Sequence, residues 1–268
     1  MKKKNILIVI AIISLSMLVG GCSIRFGEGF RTNNTENKDL FNGEGLNKSI
    51  NMDDSKKIDI EINYGNIAII PYDGKEMKVN INCDAEDTIV EKVGDKVKIA
   101  DKNINYNLDF KILEESDKKR NVSIEVPRNF NGNLEFKCGA GVISIEELEL
   151  NKIDIKGGAG KLDIKNIGFK DLDLEQGVGE VNLNLDNKSG NIDIEGGVGS
   201  TNVNIKEIGG NIKIEGGVGG CIVDIPKNSP IKIDTETGIG GITIQETVSG
   251  ESKYNLEVKS GVGSIVIK

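Results

Sequence analysis

Four cysteines, forty-two carboxylates and no histidine set the chemistry open to this 268-residue chain. Without imidazole, Ser-His-Asp triads, Cys-His pairs and the common zinc-hydrolase ligand sets are excluded. Ser116-Asp117-Lys118-Lys119 has the residue types of a Ser-Lys dyad, but it lies in a polar stretch without the motifs that accompany one. Gly157-Gly158-Ala159-Gly160-Lys161-Leu162-Asp163-Ile164 resembles a calcium-binding nonapeptide repeat. In such repeats the Asp falls one place earlier and the period is nine. No helix pattern or Gly-Lys-Ser/Thr follows the glycines, as a phosphate loop requires. The expectation is a chain with no catalytic residues, no metal site and no cofactor.

The one cysteine in a reactive context is Cys22. Lys2-Lys3-Lys4 is followed by an apolar run from Ile6 to Leu18, broken only by Ser14 and Ser16, and then by Val19-Gly20-Gly21-Cys22. The run is shorter than the roughly 20 apolar residues that span a bilayer and fits a signal-peptide core. Val19 to Cys22 resembles the lipobox of bacterial lipoproteins, with an aliphatic residue three before the Cys and small residues just before it. The resemblance implies that residues 1–21 are removed and that the Cys22 thiol carries diacylglycerol. Two or three acyl chains, at about 0.8 kcal/mol per buried CH₂, hold a protein to a membrane where a single chain does so only marginally.

The other three cysteines read as small core residues. Cys83 continues the inward series of Val79 and Ile81, Cys138 that of Leu134 and Phe136, and Cys221 occupies an inward place that Leu162 and Ile242 hold elsewhere.

The elements around them are strands. Residues 22–55 are polar and glycine-containing, with no sustained period, and read as the lipidated Cys22 followed by a flexible tether. From residue 56 onward apolar and polar residues alternate, as in Ile58, Ile60 and Ile62. Turn signals punctuate the alternation at Asp73-Gly74, Gly94-Asp95 and Asn131-Gly132.

A Gly-x-Gly element then recurs about every twenty residues, at Gly139/Gly141, Gly158/Gly160, Gly177/Gly179, Gly197/Gly199, Gly217/Gly219, Gly238/Gly240 and Gly261/Gly263. Apolar pairs keep fixed offsets on both sides of it, for example Leu172/Leu174 before and Val181/Leu183 after. The predicted fold over 56–268 is all-β, a solenoid of stacked coils in which each coil is strand, glycine corner, strand and loop. With few aromatics in the chain, its core is expected to be thin aliphatic layers. The final strand, Ser264 to Lys268, is expected at an open end of the stack, available to a partner or a second copy.

Tyr64-Gly65-Asn66-Ile67-Ala68-Ile69-Ile70-Pro71 and units such as Asn211-Ile212-Lys213-Ile214-Glu215-Gly216-Gly217-Val218-Gly219 resemble the bacterial toast-rack, or putative-adhesin, β-strand-repeat family. That likeness runs from about Lys56 to Lys268. It implies surface binding or envelope sensing and brings no catalytic residues with it.

The formal charge of −8 becomes −11 once the three lysines Lys2, Lys3 and Lys4 leave with the leader. Such a surface repels nucleic acid and favours cationic partners. The expected function is a lipid-anchored, extracytoplasmic, non-catalytic adhesion or sensing domain. Its expected partners are the membrane, through Cys22, and an envelope protein, a cationic peptide or a glycan. The rival readings are a polysaccharide-acting β-helix enzyme, which needs two carboxylates placed around a groove, and a structural spacer.

Overall fold

A computed structural model describes residues 45–82, 87–102, 120–245 and 252–268. Alternation builds the first long strand, β2 (Lys57–Tyr72). Ile58, Ile60 and Ile62 point inward before Gly65, and Ile67 and Ile69 point inward after it; all five are buried. The two halves of β2 are the arms of one coil. β7 (Asn133–Glu146), β8 (Lys152–Lys165), β9 (Asp171–Lys188) and β10 (Asn191–Glu207) repeat the plan. They stack parallel and in register, glycine on glycine, through Gly65, Gly141, Gly160, Gly179 and Gly199. In later coils the corner divides the strand: β11 (Ile212–Val218) with β12 (Cys221–Asp224), β13 (Ile231–Ile239) with β14 (Ile242–Ile244), and β15 (Tyr254–Val262) with β16 (Ile265–Ile267).

The core lies between the arms. Leu172 and Leu174 of one arm and Val181 and Leu183 of the other are buried, and the same pairs recur from coil to coil. Leu148, Leu150, Ile167, Phe169, Ile208 and Ile225, in the segments joining coils, close the third side. Phe136 is the one aromatic side chain less than 2% exposed among the described residues, so the layers are aliphatic as expected.

Three expectations need correction. First, the coils do not stack in chain order. β11 pairs with β15, and β15 pairs with β13; on the other arm β12 pairs with β16, and β16 with β14. The last coil in sequence is therefore inserted between the two before it. Composition gives the reason. The inserted coil contributes Leu256, Val258, Ile265 and Ile267, all fully buried, whereas the displaced coil carries Thr235 and Thr237 at inward places. The more apolar coil takes the position covered on both sides.

Second, the C-terminal strand is not an open edge, because β16 is paired on both sides; β13 and β14 form that end instead. Third, the tether expected over 22–55 ends earlier. Leu46–Asn51 form β1, antiparallel to β3 (Glu76–Ile81), with Ile50 opposite Met77 and both buried. The stretch holds only two large apolar residues, too few to reveal a period. Residues 22–44 lie outside the described residues.

β1 belongs to a cap at the opposite end of the stack. β6 (Asn121–Pro127) runs parallel to the second arm of β2, with β3 and then β1 antiparallel beyond it. β5 (Lys96–Asp101) covers the first arm, and β4 (Thr88–Val93) is antiparallel to β5.

Candidate binding surface

The outward side chains form rows that run across coils. One row, at matching positions of the first arms, reads Asp59, Glu135, Asp154, Asp173, Asp193, Lys213, Glu257 and Asp234. Seven of the eight are carboxylates, repeated at about the 4.8 Å strand spacing. Like charges so placed repel, and lysines within the row and from flanking rows offset the repulsion. Lys152 reaches Asp173 at 2.7 Å, and Lys213 lies 3.6 Å from Asp193 and 3.3 Å from Glu215. Lys156 reaches Glu175 at 2.6 Å. Glu135 is held between Lys137, at 2.8 Å, and Lys57. Hydrogen bonds from Lys137 and Lys57 hold its carboxyl down at about 2, against a smaller opposing effect of burial. Asp154, Asp163, Asp173 and Asp193, the carboxylates that the repeat places outward, are all half-buried on the outer faces of the arms.

The second arm carries amides. Asn182 Nδ2 donates to Asp163 Oδ1 at 2.8 Å, and Asn202 Nδ2 donates to Asn182 Oδ1 at 2.9 Å. Asp163, the residue that invited a calcium reading, is thus engaged in a ladder of the sheet, with Lys161 3.3 Å away. Among the described residues no group of three or more His, Cys, Asp or Glu side chains could hold a metal ion.

A buried ionic cluster joins the cap to the first corner. Arg120 Nη2 lies 2.7 Å from Asp101 Oδ1, with side-chain exposures of 2% and 5%. Arg120 also donates to Thr88 Oγ1 and to the Tyr64 carbonyl, and the Asn63 N–H donates to Asp101 Oδ2 at 2.8 Å. Burial pushes the Asp101 carboxyl up, but Arg120, the Asn63 amide and Thr88 together carry it below its ordinary value. Sequence reasoning missed this cluster, since Asp101 and Arg120 lie 19 residues apart with no pattern linking them.

An eighth corner was also missed. Gly65, with a φ of +146°, stands beside Gly141 in register, but Asn63 occupies the place of the first glycine. The first glycines of later coils stack under a carbonyl of the preceding coil, as Gly139 does under Asn63. Asn63 belongs to the first coil of the stack and has no earlier glycine corner beneath it. The available signal was a single glycine, Gly65, set between the apolar series Ile58/Ile60 and Ile67/Ile69 at the repeat's own offsets.

The hollows among the described residues include the following two. An internal one of about 20 Å³ lies among Gln176, Gly196, Gly216 and Ser260, where two coils lack an inward side chain. It is large enough for one water molecule, and the buried Gln176 Oε1 and Ser260 Oγ have no protein hydrogen-bond partner. An open depression of about 390 Å³ on the loop side is lined by Arg128, Glu147, Glu149 and Asp186 among others.

The remaining residues singled out in the sequence fall as follows. Cys138 and Cys221 are unbridged and buried at inward positions. Burial pushes both thiols up to about 12. Cys22, Cys83 and Ser116 to Lys119 lie outside the described residues. No helix among those residues is long and apolar enough to cross a membrane.

Parallel coils, glycine corners and in-register outward ladders define a β-solenoid repeat protein. The model of the Toastrack DUF4097 family matches residues 55–268, and the chain belongs to that family. The chain is also similar to solved structures at low identity. A putative cell adhesion protein from Clostridium sporogenes is 18% identical, with a TM-score of 0.41 over 84% of this chain and 98% of that one. A putative adhesin from Bacteroides fragilis is also 18% identical, with a TM-score of 0.47 over 84% and 97%. A putative lipid binding protein from Parabacteroides distasonis is 12% identical, with a TM-score of 0.44 over 85% and 98%. No curated protein matches the chain.

Proposed function

We propose that this is a lipid-anchored protein of the extracytoplasmic face, whose toast-rack domain binds a partner without catalysing a reaction. The observation that carries the reading is the outward face itself. Seven carboxylates lie in one row on a sheet and are tied to nearby lysines, as Asp173 is to Lys152 from a neighbouring row and Glu135 is to Lys137. Glycoside hydrolysis instead needs two carboxyl groups facing each other across a substrate, with one held protonated. Glu135 is driven the opposite way, toward permanent ionisation. A rigid acidic row repeated at the strand spacing suits recognition of a partner with spaced positive or hydroxyl groups, such as a cationic envelope protein segment or a glycan. The anchor rests on Val19-Gly20-Gly21-Cys22, with acylation at Cys22.

The test is a pull-down from cross-linked cells with the lipidated protein. The control is a variant with Asp154, Asp173 and Asp193 changed to Asn. An envelope protein or wall glycan enriched at least several-fold over that variant is the expected result. Equal recovery with both proteins would remove the acidic row from recognition, and turnover of a polysaccharide would overturn the non-catalytic reading. The Cys22→Ser chain should leave the membrane fraction.

A further inference from the structure

The two ends of the stack differ. At one end the first coil is covered by β6, β3 and β1 over one arm and by β5 and β4 over the other. At the other, among the described residues, nothing pairs with the free sides of β13 and β14. That end coil leaves Ile242 41% and Ile244 46% exposed, while the corresponding Ile265 and Ile267 one coil inward are fully buried. Solenoids ordinarily finish in a polar capping repeat, and edge strands are ordinarily blunted by bulges or inward-pointing charges. β13 carries no bulge and no inward-pointing charge. Its inward residues are Ile231, Ile233, Thr235 and Thr237, and its pairing with β15 is regular throughout.

The backbone of this edge is positioned for a partner strand. The Tyr254 N–H donates to the Pro230 carbonyl at 3.0 Å, which directs the even-numbered residues from Lys232 to Glu236 toward β15. The N–H and C=O groups of Ile233 and Thr235 therefore face outward. Ile231 offers its C=O, its N–H being donated to the Ser229 carbonyl.

We propose that a second copy of this chain occupies the edge, its own β13 lying antiparallel to the first about a two-fold axis at Ile233. Charge selects both the partner and the register. The outward row of β13 is Lys232, Asp234 and Glu236. Centred on Ile233, the pairing sets Lys232 of each copy opposite Asp234 of the other, while Glu236 faces the uncharged Pro230. A centre at Asp234 would set that residue against itself, and a centre at Thr235 would set Asp234 against Glu236. A one-residue slip would place inward faces against outward ones. The Ile233 register alone brings opposite charges together twice with no like-charged pair. It also continues, across the axis, the apolar layer that stops at Ile233. The dimer is isologous and closes on itself, so the exposed edge is consumed rather than propagated into a fibre.

The test uses the full chain in its own membranes, with Ile233→Cys and the oxidant diamide. Directly opposed residues of an antiparallel pair have Cα atoms about 4.5–5.5 Å apart, within reach of a disulfide. The expected result is a covalent dimer for Ile233→Cys and little for Thr243→Cys, on the outward side of the same coil. Adding Lys232→Asp should reduce the Ile233→Cys dimer at least tenfold, because a carboxylate then faces Asp234 of the other copy on both sides of the axis. The swap Lys232→Asp with Asp234→Lys should restore it. Thermal melting of each variant checks that the fold persists. Equal cross-linking at Ile233→Cys and Thr243→Cys, indifference to Lys232→Asp, or absence of any dimer from a folded Ile233→Cys chain would each overturn the proposal.

Discussion

Gly219 stacks on Gly199 so closely that a Cβ added to Gly219 would overlap the Gly199 carbonyl oxygen. Its φ of +142° lies where L side chains are strained as well. Gly217, two residues earlier, has ordinary φ but sits tightly under the Gly197 carbonyl. Gly219→Ala should therefore cost about 3 kcal/mol or more, through strain and displacement of the corner. Gly217→Val should also destabilise by several kcal/mol on crowding alone. Both would register as a large fall in Tm, and unchanged melting would contradict the corner packing.

Gly216 makes the opposite case. A Cβ there would meet nothing nearer than the Lys259 carbonyl, at 3.7 Å, and would enter the hollow beside Ser260. Gly216→Ala should stabilise by about 0.4–1 kcal/mol by restricting the unfolded chain. Calorimetry on this variant and on Gly219→Ala should show shifts of opposite sign.

The Asp101–Arg120 pair is buried, so removing one partner strands the other. Arg120→Ala should cost about 3–5 kcal/mol, more than an exposed ion pair such as Lys188–Glu207, which is worth about 0–1 kcal/mol. Chemical denaturation of the two single variants, Arg120→Ala and Lys188→Ala, measures the contrast.

Acid should destabilise the domain through the same carboxylates. Asp101 and Glu135 both have folded values below their ordinary ones, 3.8 and 4.5. Their contribution is complete above those ordinary values and is lost as pH falls through the lowered ones, for Glu135 between about 4.5 and about 2. Urea denaturation from pH 6 to pH 2 should show stability falling across that window. Glu135→Gln should flatten the fall, and NMR titration should place the Glu135 midpoint near the lower end.

Cys138 and Cys221 should be inert in the folded protein. Both are buried, and with thiols pushed up to about 12 they present little thiolate at pH 8. Iodoacetamide followed by peptide mass mapping should find these two cysteines modified only after denaturation. Rapid modification of the native protein would contradict their burial.

The local geometry of each coil was legible in the order of its residues. Alternation assigned Leu172, Leu174, Val181 and Leu183 to the core, and the glycine spacing located the corners, because both follow from contacts within one repeat and its neighbours. Cys138 and Cys221 were legible for the same reason. Which coil neighbours which emerged only with the folded chain. The coils share one in-register pattern, so the strand pattern does not specify order. The choice fell to a comparison between whole coils, Leu256, Val258, Ile265 and Ile267 against Ile233, Thr235, Ile242 and Ile244, for the place covered on both faces. The Asp101–Arg120 cluster and the β1–β3 pairing were illegible on similar grounds. Each joins residues distant in the chain through partners that recur in no repeat, and their geometry exists only once the cap has closed over the first coil.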